Sequence, residues 1–391
     1  MQHAVSFPTI CRYFLGLAAA FLAASPVLAA ETDGSMVCSE STLLARDVEE
    51  QLAQLMETHD YAGFSYSIVR AQDVVAAGGV GVANRNEQTP MTANTVFQIG
   101  SITKMFTGLV LARLAADDRI DLGDALSDSW AAENAVPTDT ADRPITLQML
   151  ATHTSGLPRY PDNLDRIDGD PILGYSVQQL REGLSAVSVD GEFPRPVNYS
   201  NFGYGVLAEA LARSQGVPFS RLLQDQVIDP MGLDSTRFSL SESMRPRLAT
   251  PYRDDDVTIA TEPWDMGAMS AAGGLFSTVA DLGQFARWQL GAFTGALGAR
   301  DAEARHLQRA PLYRYGGTPN WAYGLGAFVV DDYADGIDVI WHGGDVDGYA
   351  GTLVVLPDND LAFAILTNVG KGDGFDELQR YVIARAVERC R

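Results

Sequence analysis

Apolar positions along the chain switch several times between a helical and an extended rhythm. Leu44, Val48, Leu52 and Leu55 recur at helical spacing and predict an amphipathic helix. Tyr61 to Val69 and Val74 to Val82 alternate as two strands around a polar turn at Gln72-Asp73. Ser101 to Ala116 is helical again, with Phe106, Leu109, Val110, Arg113 and Leu114 in one stripe. From Leu122 to about Pro263 no strand alternation is sustained, and prolines such as Pro137, Pro158, Pro161 and Pro196 punctuate helices and loops. A further helix is expected over Val279 to Leu290. Strand signals return only at Tyr323 to Val330, Val339 to His342, Gly351 to Leu356 and Leu361 to Val369, the last two joined by the turn sequence Pro357-Asp358-Asn359-Asp360. A closing helix puts Phe375, Leu378, Val382 and Ala386 on one face.

Strands at both ends with helices between them predict an α/β (α+β) fold. An antiparallel sheet, built from about 31–120 and 265–391 and flanked by the terminal helices, carries an all-helical insertion at about 121–264. A cleft is expected between the two parts.

The first thirty residues follow a different rule. Arg12 precedes an apolar run from Tyr13 through Leu28, and Val27-Leu28-Ala29-Ala30 supplies small residues for cleavage. This reads as a secretory signal at 1–30, leaving one mature domain at 31–391 and a periplasmic or secreted protein. A membrane anchor is the competing reading, but the run is near the short limit for spanning, and no later stretch is long and apolar enough to span. Cys11 leaves with the signal, so Cys38 and Cys390 are the cysteines of the mature chain. An oxidising compartment favours joining them and tying the termini together; two unrelated thiols are the alternative.

Composition narrows the function classes. The 391 residues are 46% hydrophobic and 20% charged, an ordinary enzyme composition for one or two domains. A formal charge of −22 repels a phosphate backbone and argues against nucleic acid as a partner. No G-x-S-x-G elbow, H-E-x-x-H, C-x-x-C or phosphate loop is present, and Gly78-Gly79-Val80-Gly81 fails the dinucleotide fingerprint. No metal or organic cofactor is implied.

What remains is Ser101-Ile102-Thr103-Lys104. Three residues apart on a helix, the serine and lysine share a face. A buried lysine sheds its proton and can take the serine's, whereas an arginine stays charged. The serine also stands at the helix start, where free amides favour developing negative charge. Only Lys104 and Lys371 are lysines; the rest of the 28 basic residues are arginines. Chance would still place S-x-x-K in roughly one such chain in eight, and a capping serine with a surface lysine is the bland alternative.

Two further constellations bear on the choice. In Tyr199-Ser200-Asn201, a tyrosine near an ammonium can act as general base, and the amide can hold a substrate carbonyl or the lysine. Alone it would read as a helix-entry turn. In His342-Gly343-Gly344 the glycines let a substrate backbone lie against a strand, and the histidine can hydrogen-bond a substrate carboxylate or carbonyl. A glycine bulge with a partly buried histidine is its bland counterpart.

In that order and at those separations the three motifs resemble those of the penicillin-recognising serine hydrolases, in the branch of class C β-lactamases, D-Ala-D-Ala peptidases and related esterases. Leu150 to Pro158, Pro230-Met231-Gly232-Leu233, Ala271 to Ser277 and Leu366-Thr367-Asn368 fit the same family, so the resemblance covers nearly all of the mature chain. It implies Ser101 as nucleophile, Lys104 and Tyr199 sharing general-base work, Asn201 orienting substrate, and the amides of Ser101 and Asp345 as the oxyanion hole. His153 reads as structural, satisfying buried loop backbone.

One departure matters. Most relatives carry Lys-Thr-Gly where this chain has His342-Gly343-Gly344, and that lysine and threonine help bind a substrate carboxylate. The expected activity is therefore acyl-enzyme hydrolysis of D-amino-acid peptides or β-lactams, with modest turnover of the latter. A carboxylesterase of short acyl esters on the same scaffold is the alternative. A binder that acylates without turnover is a third, against which Lys104 and Tyr199 argue. The partner is a small-molecule or peptide substrate.

Overall fold

A computed structural model describes residues 41–389 apart from 131–134, 165–171, 254–255, 293–297, 319, 335 and 371–372. The expected signal segment and both Cys38 and Cys390 lie outside the described residues.

The strands are β1 (Gly63–Val69), β2 (Val74–Asn84), β3 (Thr89–Pro90), β4 (Phe97–Gln98), β5 (Phe276–Ser277), β6 (Tyr313–Arg314), β7 (Trp321–Tyr323), β8 (Phe328–Ala334), β9 (Ile337–Val346), β10 (Tyr349–Leu356) and β11 (Leu361–Thr367). β4 and β5 pair with each other, and the others form a nine-stranded sheet ordered β3-β2-β1-β11-β10-β9-β8-β7-β6. Every pairing is antiparallel, and β1 lies beside β11, so both halves of the chain build one sheet. The longer helices are α1 (Ser41–Thr58), α2 (Thr103–Ala116), α3 (Val177–Ala186), α4 (Asn201–Gln215), α5 (Val279–Gln289), α6 (Gly298–Arg309) and α7 (Asp373–Arg389).

Period-two alternation divides the central strands between two cores. On β11, Phe363 and Ile365 join Leu44, Val48, Leu378 and Val382 beneath α1 and α7. Ala362, Ala364 and Leu366 face the other way, into the core that holds α2 and α5. With both faces covered, β11 reads as an unbroken apolar run from Leu361 to Leu366 and β10 is interrupted only by Thr352, as doubly buried strands should be nearly continuous. Asp47 of α1 bridges Arg385 and Arg389 of α7 at 2.8 and 3.0 Å, joining the two terminal helices.

Helix α2 sits inside. Residues Thr103 through Leu114 are all buried, including Arg113, so the apolar stripe seen in the sequence is one side of a helix that is covered all round. Arg113 is compensated by Asp301 of α6 at 2.8 Å, a pair removed from water on both sides. Phe106 stacks on Phe285 of α5 with ring centres 4.2 Å apart.

Two expectations change. Tyr323 to Val330 is two strands, because the turn at Gly324 to Ala327 breaks the run, with Gly326 at φ +84. Helix α6 was not expected; its buried residues are Asp301, Ala304 and Gln308, two of them polar, so it carries almost no apolar period.

Candidate active site

Ser101 lies on a single 3-10 turn, Gly100–Ile102, that runs into α2. That turn is fixed by close backbone approaches. Gly100 has φ +52, and a methyl group there would come 2.6 Å from the amide nitrogen of Asp345 on β9; one on Gly344 would come 2.0 Å from the carbonyl oxygen of Ile99. A second reciprocal contact lies one turn further on: a methyl on Gly108 would meet the carbonyl of Leu325 at 1.9 Å, and one on Gly326 the carbonyl of Lys104 at 2.0 Å. Glycine is required at both places because backbone meets backbone. Thr103 and Thr107 tie α2 to residues 271–275, accepting from Leu275 N at 3.2 Å and donating to Ala271 O at 2.8 Å.

Lys104 is fully buried. Its Nζ lies 3.2 Å from Ser101 Oγ, 2.8 Å from Asn201 Oδ1 and 2.6 Å from the carbonyl oxygen of Ala272. Asn201 Nδ2 donates to Tyr160 Oη at 3.0 Å, which turns the amide oxygen toward the lysine. Two of the three neighbours of Nζ can therefore only accept. A neutral amine has two hydrogens for those two oxygens and one lone pair for the serine hydroxyl. Burial, and then the positive charge of Arg159, push Lys104 well below the ordinary lysine range, favouring that neutral form.

The Tyr199-Ser200-Asn201 turn is held against the loop Thr152 to Pro158. Ser200 caps α4, accepting from Gly203 N at 2.8 Å and donating to Pro158 O at 2.6 Å. Its own amide donates to His153 Nδ1 at 3.1 Å, and His153 O accepts from Asn198 N at 2.9 Å. His153 has φ +60, is buried, and its ring lies 4.4 Å from that of Tyr199. Thus His153 satisfies loop backbone and backs the tyrosine ring.

Tyr199 is half-buried, its hydroxyl bonded to Ser101 and its ring centre 4.6 Å from Lys104 Nζ. Burial raises its phenol above the ordinary range, outweighing the lowering by Ser101 and Arg159, so the tyrosine keeps its proton.

His342 takes a less exposed place than the sequence motif implied. It is 2% exposed, with Nδ1 donating to Gly343 O at 2.6 Å and Nε2 accepting from Tyr323 Oη at 3.0 Å. Burial, then Lys104, push it down to about 3, so it is neutral near pH 7. Gly343 and Gly344 continue β9 opposite Thr352 and Gly351 of β10. Residues that sequence reasoning missed include Tyr160, Tyr323, the Ala272 carbonyl and Arg159, whose guanidinium lies 5.2 Å over the Tyr199 ring. Their signals are indirect: Arg159 and Tyr160 directly follow Leu150 to Pro158, Ala272 lies within Ala271 to Ser277, and Tyr323 opens a predicted strand. Among the described residues no group of three His, Cys, Asp or Glu could hold a metal ion, and no helix is long and apolar enough to cross a membrane.

A family model described as Beta-lactamase matches residues 48–388. Penicillin-binding protein 4 of Amycolatopsis lactamdurans is 26% identical over 342 residues, spanning 84% of this chain and 86% of that protein. The D-alanyl-D-alanine-carboxypeptidase/endopeptidase AmpH of Escherichia coli K12 is 29% identical over 216 residues, 55% of this chain and 53% of that one. Among solved structures, the class C beta lactamase from Rhodobacter sphaeroides superposes with a TM-score of 0.74 at 19% identity, over 90% of this chain and 100% of that one. The octameric penicillin-binding protein homologue from Pyrococcus abyssi gives 0.75 at 23% identity, over 88% and 77%. At those identities the structures speak for the fold alone.

Proposed function

The chain belongs to the beta-lactamase family of serine hydrolases, and we propose that it is an exported member forming an acyl-enzyme at Ser101 on D-amino-acid peptides or β-lactams. The observation that carries this reading is the hydrogen count at Lys104. With both amine hydrogens taken by Asn201 and Ala272, the lone pair is left for the Ser101 hydroxyl at 3.2 Å.

In acylation Ser101 Oγ bonds to the substrate carbonyl carbon as its proton passes to Lys104 Nζ. The carbonyl oxygen takes the negative charge toward the amides of Ser101 and Asp345. Collapse expels the leaving nitrogen, which receives the proton from Lys104 by way of the Tyr199 hydroxyl. Water then repeats the sequence on the acyl-enzyme, and Ser101 regains its proton. Gly343, where an added methyl would meet Trp341 and the Gly351 carbonyl only at ordinary contact distance, leaves room beside the strand for the substrate backbone. The names of the similar penicillin-binding and carboxypeptidase proteins support a D-amino-acid substrate, and the apolar run from Tyr13 to Leu28 supports a periplasmic or secreted location.

A carboxylesterase is the second reading. It is favoured by the neutral, enclosed His342 and by Gly343, which together offer neither a cation nor a hydroxyl from the third motif. The mature protein and Ser101→Ala are to be assayed with nitrocefin, a D-Ala-D-Ala peptide and p-nitrophenyl butyrate. Peptide or nitrocefin turnover that Ser101→Ala abolishes is expected. Ester turnover alone supports the second reading, and a stable adduct in the intact mass without turnover supports a binder. Full activity in Ser101→Ala overturns the assignment of the nucleophile.

A further inference from the structure

Resting on the serine-hydrolase reading above, we propose that Arg159 is the specificity-determining residue of the site, and that its exposed guanidinium receives a carboxylate carried by the substrate. Lys104 is fully enclosed, and its Nζ is committed to Asn201, Ala272 and the nucleophile. His342 is enclosed too, with both ring nitrogens engaged within the protein. Neither can reach an anionic group on a bound molecule.

Arg159 can. Its side chain is exposed, and its guanidinium carbon lies 5.2 Å over the ring of Tyr199 and 5.8 Å over that of Tyr160. Its backbone is not free to wander: the Arg159 carbonyl accepts from Asn201 N at 3.1 Å and Phe202 N at 3.2 Å, at the first residues of α4. The cation is thus built onto the same helix start that supplies Asn201 to the lysine. Stacking on an aromatic face uses the flat side of a guanidinium and leaves its N–H edge for a carboxylate fork.

Among the described residues Arg159 has no ion-pair partner. Other arginines of the chain are matched: Arg143 meets Asp139 and Glu192, Arg113 meets Asp301, and Arg300 meets Asp117. Its field is also felt inside the site, since it contributes to the shifts of Lys104, His153 and Tyr199. An unmatched cation on the face of the base-relay tyrosine matches an acyl donor with one negative charge near the scissile bond.

The test uses two matched substrate pairs with the wild type, Arg159→Gln and Arg159→Lys. One pair is N-acetyl-D-Ala-D-Ala and its C-terminal amide, which puts the charge on the leaving side. The other is mono-(4-nitrophenyl) glutarate and its methyl ester, which puts it on the acyl side. In at least one pair the wild type should prefer the anionic member in kcat/KM. Arg159→Gln should cut that preference by about 10- to 100-fold, mostly through KM, the range expected for losing a charge-assisted bond. Arg159→Lys should recover part of it, and added salt should erode it in the wild type. Where turnover is slow, calorimetric affinities of the same pairs for Ser101→Ala give the same ratio, with Arg159→Gln added in that background. No anionic preference in either pair, an unchanged ratio in a folded Arg159→Gln, or equal slowing of both members would overturn the proposal. Activity retained by Ser101→Ala would instead overturn the serine-hydrolase reading, whatever the ratio.

Discussion

Replacing Tyr199 by phenylalanine removes one oxygen and little else. The ring keeps its place 4.4 Å from His153, with Lys104 Nζ and the Arg159 guanidinium over it at 4.6 and 5.2 Å. What is lost is the hydroxyl bonded to Ser101. One net hydrogen bond is worth about 0.5–1.5 kcal/mol, so the thermal melt should move only slightly. The rate should move far more. A positioned proton-transfer group contributes roughly 10²–10⁴-fold, or about 3–5 kcal/mol of barrier. Because Lys104 stays 3.2 Å from Oγ, Tyr199→Phe should fall near the lower end of that range. Lys104→Met, which removes the base, should fall near the upper end. The two residues handle the same proton, so the double variant should be about as slow as Lys104→Met alone rather than slower by the product. Pre-steady-state acylation with a chromogenic substrate measures all four proteins, with melts to certify folding. Multiplicative losses, or more than about a tenth of wild-type acylation in a folded Tyr199→Phe, would refute the shared-proton scheme.

Gly344→Ala puts a methyl group 2.0 Å from the Ile99 carbonyl, so a loss of about 1–3 kcal/mol or more is expected in denaturant melts, together with displacement of the nucleophile turn and loss of turnover. Asp301→Ala leaves Arg113 enclosed without its partner and should cost about 3–5 kcal/mol of stability while leaving Ser101 and Lys104 chemically intact. His342 is pushed down to about 3 from the ordinary 6.5, so the unfolded chain binds its proton more readily than the folded one between those values. Stability should therefore fall as pH drops through that window, and the fall should be shallower in His342→Gln, read by equilibrium melts from pH 7 to pH 3.

The parts of the fold legible in the sequence are those where one physical rule acts alone. Phe375, Leu378, Val382 and Ala386 announced α7 because that helix has a single apolar face. The Ser101 to Lys104 spacing was legible because helical geometry alone brings the two side chains together. Helix α6 was hidden because polar contacts hold it: Asp301 to Arg113 and Trp288, and Gln308 to Gln289 at 2.7 Å. Asn201's role was legible only as a choice between substrate and lysine, and Tyr160, distant in sequence, turns its oxygen to the lysine. Arg159 was one arginine among many, since its position depends on a carbonyl bonded to the start of a helix more than forty residues later. The neutral state of His342 was equally out of reach, because it follows from burial against Tyr323 and from the nearby lysine.

The paired glycine contacts under the nucleophile carry a consequence for how such a site can change over generations. At Gly100, Gly108, Gly326 and Gly344 the obstacle to a larger residue is main chain, which no exchange of a neighbouring side chain can trim away. Compensatory steps are closed there, and each position is an evolutionary dead end for single changes. Diversification of this scaffold toward new substrates must then pass through side chains that project outward, and Arg159, whose guanidinium lies over the Tyr199 ring, is one whose replacement leaves that frame untouched.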